Sequence, residues 1–374
     1  MNRTIVDIHV IQTVPPSNIN RDDTGSPKTA VYGGKRRARV SSQAWKRATR
    51  DDFSSFLDLS ELGMRTKRVV ELLTESIQKQ DTDLVDQAEE LATEVLSKAG
   101  IKLKAARKKD APQEAGYLLF LSNNQIEALA ELAVDAAHNG DGTVSKQDAK
   151  ARADRQHSVD IALFGRMVAD DADLNVDAAA QVAHALSVHE VSNEYDYYTA
   201  VDDHKRADEE EDAGAGMIGT VEFNSSTLYR YATVDVDRLR DNLGDVEATR
   251  RAVVAFARSF VTSMPTGKQN TFANRTLPDA VLILVRDTQS MNLVGAFEEV
   301  VDERESSGRI GSALTRLVGY GTDLHAAYDE TPVAGWSVGI GERAEVLTGL
   351  ASRTSFESAT TALSELVAER LGTS

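Results

Sequence analysis

The sequence of 374 residues contains no cysteine. This absence excludes disulfides, thiolate nucleophiles and zinc sites that use cysteine ligands. No apolar run approaches the roughly 20 residues that cross a bilayer, and the N-terminal segment MNRTIVDIHV lacks the apolar core and small-residue cleavage site of a signal peptide. We therefore expect a cytoplasmic protein with no membrane partner.

Features of phosphate-dependent enzymes are also scarce. Gly33-Gly34-Lys35 lacks the leading glycine and the Ser/Thr of a nucleotide-binding P-loop. The acid pairs Asp22-Asp23 and Asp202-Asp203 could hold a divalent metal that hydrolyses a phosphodiester. Because adjacent acids usually point in different directions, we expect instead that such an Asp orients a neighbouring arginine or caps a turn. The sequence predicts no catalytic residue, no cofactor and no metal site.

Acidic residues outnumber basic residues by 59 to 42, which gives a formal net charge of −17. Hydrophobic and charged contents of 41% and 27% are typical of a soluble globular protein, and the length allows two or three domains. Against this background the stretch from Thr24 to Arg50 contains no Asp or Glu. Its basic residues are Lys28, Lys35, Arg36, Arg37, Arg39, Lys46, Arg47 and Arg50. Such a cluster favours a polyanion site, because each Lys or Arg that replaces a condensed counterion on a phosphate chain gains free energy.

The first half of this stretch is expected to be a turn and an extended segment. Gly33-Gly34 permits a turn with positive φ, or a close approach of the backbone to a ligand. The alternation that follows places Arg37 and Arg39 on one face of an extended segment.

The second half is expected to be a short basic helix. Ser41 or Ser42 is a candidate N-cap. In the helical run that follows, the side chains on one face are Gln43, Lys46, Arg47 and Arg50. The alternative is a solvated basic loop and helix. The missing acids, the glycine turn and the capped helix favour the polyanion site.

Periodicity along the chain predicts an α/β (α+β) fold with a ferredoxin-like sandwich as its body. The predicted strands are residues 4–13, which Val14-Pro15-Pro16 end, and residues 217–223, 227–236 and 280–285. The predicted helices are residues 178–188, 239–260, a segment after Glu298, and 358–370. From Asp52 to about Gln156, apolar residues recur at helical spacing and indicate a helical insertion. The glycine-rich stretch 334–341 is expected to be turn and strand.

Four single residues and one charged segment are candidates for functional roles. Met167 could fill a core gap, which is the usual role of a lone methionine, or could form an apolar wedge beside a base. His184 and His189 are five residues apart, off the spacing of a helical metal pair, so each is expected to be a hydrogen-bonded histidine without a ligand. His9 is expected to be packed in its strand. The charged segment 204–216 is expected to be a mobile loop or a hairpin tip.

Four groups of residues resemble the Cas-seven family, the backbone subunits (CasC) of type I-E CRISPR Cascade complexes. The motifs are Asn20-Arg21-Asp22-Asp23, the basic run 33–47, residues 159–163 with Gly165-Arg166-Met167, and Thr199-Ala200-Val201-Asp202-Asp203. Phe223, residues 228–232 and the loop 265–272 extend the resemblance over most of the chain. The motifs are long and specific.

The resemblance implies a hand-like protein. The palm would be an RRM-like sheet formed by residues 1–52 and 156–374, the fingers a helical insertion at 53–155, and the thumb a β-hairpin excursion at 199–223. Copies of such a subunit stack along CRISPR RNA, and each thumb displaces one base at regular intervals. The neighbouring bases can then pair with target DNA. The implied partners are CRISPR RNA, neighbouring copies of the chain, other Cascade subunits and target DNA through guide pairing.

The resemblance and the basic cluster together predict an RNA-binding set. Phosphate contacts are implied for Arg21, Lys28, Ser41, Gln43, Lys46, Arg50 and Lys268, and the set also contains Asn20, Lys35, Arg37, Arg47 and Arg166. Met167 and Tyr198 are expected to pack against nucleotides at the kink. The acidic run 208–212 in the thumb departs from the family, and RNA contact does not explain it; the alternatives are a solvated tip and a contact with the next subunit. We expect a non-enzymatic RNA-binding subunit; the alternative is a metal-dependent ribonuclease that uses Asp22, Asp23 or Asp202.

Overall fold

The computed structural model describes residues 3–106, 108, 111–138, 143–154, 157–168, 174–200, 217–302 and 307–372. The fold is mixed α/β, as predicted. The chain forms two compact units. The first unit contains Met1–Thr49, Val182–Thr233 and Ala257–Ala362, and the second contains Arg50–Gln181, Val234–Phe256 and Leu363–Ser374.

The strands and helices are numbered in the order in which they occur along the chain. The strands are β1 (Ile5–Ser17), β2 (Thr29–Tyr32), β3 (Lys35–Val40), β4 (Gly63–Thr66), β5 (Leu103–Lys104), β6 (Glu114–Ala115), β7 (Leu119–Ser122), β8 (Ala180–Val182), β9 (Ala185–Ser187), β10 (Glu194–Ala200), β11 (Met217–Asp235), β12 (Ala280–Arg286), β13 (Ala334–Gly339) and β14 (Ser352–Arg353). The helices are α1 (Ser42–Asp52), α2 (Val69–Gln80), α3 (Ala88–Lys98), α4 (Asn123–His138), α5 (Lys146–Ala153), α6 (Val159–Phe164), α7 (Val236–Leu243), α8 (Val246–Thr262), α9 (Gln269–Phe272), α10 (Gly308–Tyr328) and α11 (Phe356–Gly372).

A large sheet organises the first unit. Its strands lie in the order β14-β13-β12-β1-β11-β9-β3-β2, and β10 also pairs with β11. Strand β1 continues through Pro15 and Pro16 to Ser17, beyond the end that the prolines predicted. The antiparallel ladder between β1 and β12 stops at Ile11. The prolines therefore interrupt no hydrogen bond to β12, which is why the strand tolerates them.

Strand β11 joins two segments that the sequence predicted as separate strands. It runs for 19 residues, from Met217 to Asp235. Its first part pairs with β10 from Met217 to Phe223 and forms a hairpin, whereas Leu228 and Tyr229 pair with β9 inside the main sheet. One continuous strand therefore links the hairpin of β10 and β11 to the centre of the sheet.

The helix predicted for residues 178–188 is wrong, because this segment forms β8 and β9 instead. In β9, Leu186 pairs with Arg39 on one side and with Tyr229 on the other. The pairing with two neighbouring strands supplies hydrogen bonds for the backbone of β9. These tertiary bonds override the helix propensity of an alanine-rich sequence.

One face of the sheet carries a buried polar network beneath apolar packing. Asp7 accepts hydrogen bonds from Arg286 Nε (2.9 Å) and from the Tyr231 hydroxyl (2.7 Å). His9 is buried, as predicted, and its Nδ1 lies 2.9 Å from the Tyr229 hydroxyl. Burial lowers the pKa of His9 to about 3, so its ring is neutral at ordinary pH.

The second unit is largely helical around its own core. The apolar faces of α2, α3 and α4 supply most of this core, as the helical spacing predicted, and buried residues such as Leu73, Leu96 and Leu129 belong to it. The sequence did not predict the short antiparallel pairs of β4 with β7 and of β5 with β6. Within the described residues, no helix is long and apolar enough to span a membrane.

Toward the C-terminus the structure follows the predicted pattern closely. The predicted strand 280–285 is β12, and the glycine-rich stretch forms β13. The predicted helix 239–260 is interrupted at Gly244, whose φ of 70° ends α7 before α8 begins.

Candidate nucleic-acid interface

Asn20 holds together three segments of the basic stretch in the first unit. Its side-chain oxygen accepts a hydrogen bond from the backbone N–H of Ser41 (2.8 Å), at the start of α1. Its backbone carbonyl accepts the N–H of Lys28 (2.9 Å), and the carbonyl of Lys28 in turn accepts the N–H of Arg39 (2.9 Å). The loop, the β2–β3 hairpin and α1 therefore have a fixed relation to one another.

Helix α1 presents its polar face as the sequence predicted. The N-cap is Ser41, whose hydroxyl accepts the backbone N–H of Ala44 (3.3 Å). Trp45 and Thr49 form the buried side. Gln43 and Arg47 are exposed and Lys46 is half-buried. Partial desolvation lowers the pKa of Lys46; a phosphate beside an ammonium group would favour its charged form.

The loop after Asn20 is shaped by Asp22. One carboxylate oxygen of Asp22 accepts hydrogen bonds from the N–H of Thr24 (2.9 Å), the N–H of Ser26 (3.0 Å) and the hydroxyl of Thr24 (2.7 Å). These bonds, led by the Thr24 hydroxyl, lower the pKa of Asp22. The expectation that this Asp caps a turn is confirmed. Arg21 is exposed on the same loop, beside an open cleft of about 540 Å³ that residues 19–25 and Gly267 line.

The loop that carries Lys268 packs directly against the Asn20 loop. A Cβ atom at Gly267 would lie 2.4 Å from the carbonyl oxygen of Ile19, so only glycine permits this approach. Lys268 has a left-handed backbone, with φ of 51°. Farther along, the ring of Phe272 lies 5.8 Å from the ring of Phe223 in β11. Gly267, next to Lys268, lines the same cleft as Arg21, and the ring contact places this loop beside the hairpin of β10 and β11.

The hairpin of β10 and β11 displays three tyrosines on two faces. Tyr198 lies opposite Gly219, and its ring covers that glycine so closely that an added Cβ would lie 2.4 Å from the hydroxyl oxygen. Tyr195 and Tyr197 point to the other face, and they are 68% and 62% exposed. Of the three, Tyr198 alone was expected to contact nucleotides, although the alternation in Tyr-Asp-Tyr-Tyr places Tyr195 and Tyr197 together on one face.

Arg37 does not belong to the exposed cations. The glycine turn before it forms as predicted, with φ of 57° and 71° at Gly33 and Gly34. The guanidinium of Arg37 is buried, and it donates to the carbonyls of Ser187 (2.8 Å), Phe297 (2.9 Å) and Glu298 (2.9 Å). Through these three hydrogen bonds Arg37 fastens the β2–β3 hairpin to β9 and to the residues after Leu293, and the predicted contact with RNA is corrected to this structural role.

Lys35 lies at the turn of the same hairpin. It is exposed and forms an ion pair with Glu190 at 3.1 Å. We use the term cationic surface for the exposed and half-exposed side chains Arg21, Lys28, Gln43, Lys46, Arg47 and Lys268.

The second unit contains the remaining predicted residues. Arg166 is buried, contrary to a direct role with RNA, and its Nε donates to the carbonyl of Leu174 at 2.7 Å. Its backbone pairs with Val176 in both directions. The neighbouring Met167 is 82% exposed, which excludes the core interpretation. The guanidinium of Arg50 lies 5.7 Å from the centre of the Phe120 ring.

The candidate metal-binding acids and one Gly-x-Ser-x-Gly pattern bear on the possibility of an enzyme. Asp202, Asp203 and the acidic run 208–212 lie outside the described residues. Among the residues that are described, no group of three His, Asp or Glu side chains could hold a metal ion. Gly335-Trp336-Ser337-Val338-Gly339 spells the nucleophile pattern of hydrolases. Ser337 is buried within β13, where its hydroxyl donates to the carbonyl of Ala351 (3.3 Å), so it has no nucleophile geometry.

Comparisons with known proteins agree on one group. The family model of CT1975-like proteins (Cas_CT1975) matches residues 6–369. A chain of a solved structure entitled "CRISPR RNA-guided surveillance complex, pre-nicking" is 35% identical, with a TM-score of 0.84 over 98% of this chain and 99% of that chain. A second, "CRISPR RNA-guided surveillance complex", is 30% identical, with a TM-score of 0.73 over 97% and 99%. No curated protein matches the chain.

Proposed function

Because the chain belongs to the CT1975-like family of Cas proteins, we propose that it is the non-enzymatic backbone subunit of a type I-E Cascade complex. It binds CRISPR RNA and lines up with further copies of itself along that RNA. The other Cascade subunits complete the assembly, and target DNA reaches it by pairing with the guide. The similar structures are themselves parts of CRISPR RNA-guided surveillance complexes, which supports this assignment.

The observation that carries the proposal is the cationic surface on a chain with a net charge of −17. Arg21 and Lys28 lie on the loop between β1 and β2, and Lys268 lies on a second loop that packs against it at Gly267. Lys and Arg side chains bind phosphates without reading bases. A guide RNA of any sequence can therefore be held, while base pairing supplies the specificity for the target.

The hairpin of β10 and β11 supplies the apolar part of the interface. Tyr198 lies flat over Gly219, so the ring has a defined position before RNA arrives. An ordered aromatic ring can stack on a nucleobase, a contact worth about 1–3 kcal/mol per base. In the second unit, the exposed Met167 is a further apolar contact for nucleotides at the kink.

The binding of several copies to one RNA explains how a subunit with a modest number of basic side chains can hold RNA tightly. Each copy contributes a few phosphate contacts, and successive copies on one RNA bind with a high effective concentration. The assembly thus needs no deep pocket on the single subunit.

The test is the size of the particle with and without a CRISPR RNA. Light scattering of the purified chain should show growth into a regular large particle only when the RNA is present. An RNA of equal length without the CRISPR repeat serves as the control for sequence-independent loading. If the chain stays monomeric and the RNA stays unbound at low salt, the proposed function is wrong.

A further inference from the structure

Two basic side chains without an assigned role lie beside Lys28. Arg39 of β3 donates from its guanidinium toward Nδ1 of His184, at 3.3 Å, and from Nε to the carbonyl of Thr29, at 3.2 Å. His184 is exposed in the turn between β8 and β9. Among the described residues, no carboxylate forms an ion pair with Lys28, Arg39 or His184. The three groups therefore form a cationic cluster whose charge is not neutralised from within the described chain.

The cluster adjoins the cationic surface through the backbone. The carbonyl of Lys28 accepts the N–H of Arg39, and the N–H of Lys28 donates to Asn20. Arg39 pairs with Leu186 of β9, two residues after His184, so the side chains of Arg39 and His184 emerge on the same face of the sheet. All three segments belong to the first unit.

The hydrogen bond from Arg39 determines which nitrogen of the neutral His184 ring is protonated. A guanidinium only donates, so Nδ1 of His184 must accept, and the neutral ring has its proton on Nε2. Partial burial, then Arg39 and then Lys28, lower the pKa of His184. These are the two charged groups that act on the ring, one from β3 and one from the residue before β2. The ring is neutral at neutral pH when no anion is bound.

An anion bound beside His184 would shift the equilibrium between its neutral and protonated forms. A phosphate oxygen beside the ring favours the imidazolium, in which both nitrogens donate. Nδ1 can then no longer accept from Arg39, so the guanidinium is released and can donate to the same phosphate. Proton uptake by His184 and phosphate binding by Arg39 thus reinforce each other.

We propose that Lys28, Arg39 and His184 form a phosphate site for RNA in which His184 takes up a proton as the phosphate binds. This inference rests on the proposed function, because it assigns RNA as the source of the phosphate. RNA binding becomes tighter as the pH falls, since protonation favours the bound state. A difference of one pKa unit between bound and free protein corresponds to about tenfold in affinity. We expect a tightening of about three- to tenfold between about pH 8 and about pH 5.5.

The other histidines have different surroundings. Burial lowers the pKa of His189 to about 4 and of His157 to about 4, and His138 contacts Asp81 in the second unit. His325 lies 2.9 Å from the buried guanidinium of Arg286. His204 lies outside the described residues. His138→Gln and His325→Gln are therefore the matched controls, since neither side chain belongs to the cationic surface or to the β10–β11 hairpin.

The experiment measures the affinity for a labelled single-stranded RNA across this pH range at constant ionic strength, with circular dichroism to verify folding at each pH. His184→Gln should abolish the pH dependence and keep the affinity that the wild type has at high pH. Arg39→Gln should weaken binding at every pH and lower the salt slope by about one. Both controls should retain the wild-type pH profile.

The outcomes separate the two proposals. If the wild type binds RNA with no pH dependence, or if His184→Gln retains it, the phosphate site is wrong and the proposed function stands. If the wild type binds no RNA at any pH, the proposed function fails as well. As a second readout, an NMR titration of the histidine ring should show the pKa of His184 rising when RNA is added; an unchanged pKa contradicts the site.

Discussion

The guanidinium carbon of Arg230 lies 3.6 Å from the centre of the indole ring of Trp45, and both side chains are buried. The centre of the Phe260 ring lies 4.6 Å from the same carbon. The guanidinium nitrogens of Arg230 donate to the side chain of Gln12 and to the carbonyl of Phe260. Burial lowers the pKa of Arg230 to about 9, so the group is still charged at neutral pH.

This contact fastens the helix of the cationic surface to a particular strand. Trp45 lies on the inner side of α1, opposite Gln43 and Arg47, and Arg230 lies in β11. The same strand continues into the hairpin that it forms with β10. The position of α1, and with it the position of its phosphate contacts, therefore depends on a buried cation.

The first prediction concerns this anchor. Arg230→Met leaves the carbonyl of Phe260 without its donor, which costs about 1–3 kcal/mol, and frees α1 to shift. RNA affinity should fall several-fold even where the variant is fully folded, whereas Arg230→Lys, which retains the charge over the indole, should recover part of it. Fluorescence anisotropy with labelled RNA and thermal unfolding measure the two effects.

Arg286→Met is the matched control for the anchor. It removes another buried arginine of the first unit and leaves Asp7 as an unpaired buried charge, at a cost of about 3–5 kcal/mol. We expect the larger loss of stability with no loss of RNA affinity. Equal loss of affinity in both variants would mean that general loosening, not the position of α1, affects RNA binding.

The second prediction tests the charge of α1. Arg47→Glu should weaken binding to all RNA sequences alike, by about tenfold at low salt, and reduce the salt slope by about one to two. Arg343→Glu makes the same charge change at an exposed arginine outside the cationic surface, and it should have little effect. A sequence-dependent loss with Arg47→Glu would indicate a base contact instead.

The third prediction uses the tyrosine that covers Gly219. Gly219→Ala forces the ring of Tyr198 to move, because the new Cβ would lie within 2.4 Å of it. Gly219→Ala and Tyr198→Ala should each reduce the displacement of a base, measured with a fluorescent base analogue placed at successive positions of a bound RNA. The double variant should be no worse than Tyr198→Ala, since the two changes act on one contact. Additive effects would contradict a shared role.

The fourth prediction separates binding from cleavage. Asp22→Asn retains the oxygen that accepts three hydrogen bonds, so loop and RNA binding should survive, whereas Asp22→Ala should weaken binding by opening the turn. Labelled RNA incubated with magnesium or manganese should stay intact with the wild type. Cleavage that disappears with Asp22→Asn or Asp202→Ala would establish the ribonuclease alternative.

Local rules were sufficient for α1 and for the loop before it. The N-cap at Ser41 and the turn at Asp22 each depend on partners within four residues. Such short-range hydrogen bonds and periodicity can be read from a single sequence. The predicted exposure of Gln43 and Arg47 therefore agrees with the structure.

Long-range partners explain what the sequence could not predict. The donors of Arg37 find carbonyls at Ser187 and Phe297, which are 150 and 260 residues away in the chain. Nothing near Arg37 distinguishes it from its exposed neighbour Arg36. In the same way, β9 is a strand because β3 and β11 flank it, although its own sequence favours a helix.

The continuity of β11 restricts how the gene for this chain can change. Successive residues of a strand alternate between its faces, so an insertion or deletion of a single residue exchanges the faces of everything beyond it. Between Phe223, at the base of the hairpin, and Leu228, where the pairing with β9 begins, such a change would exchange the faces of the hairpin relative to the buried pair of Arg230 and Trp45. The number of residues between Phe223 and Leu228 can therefore change only in steps of two if both faces are to be kept.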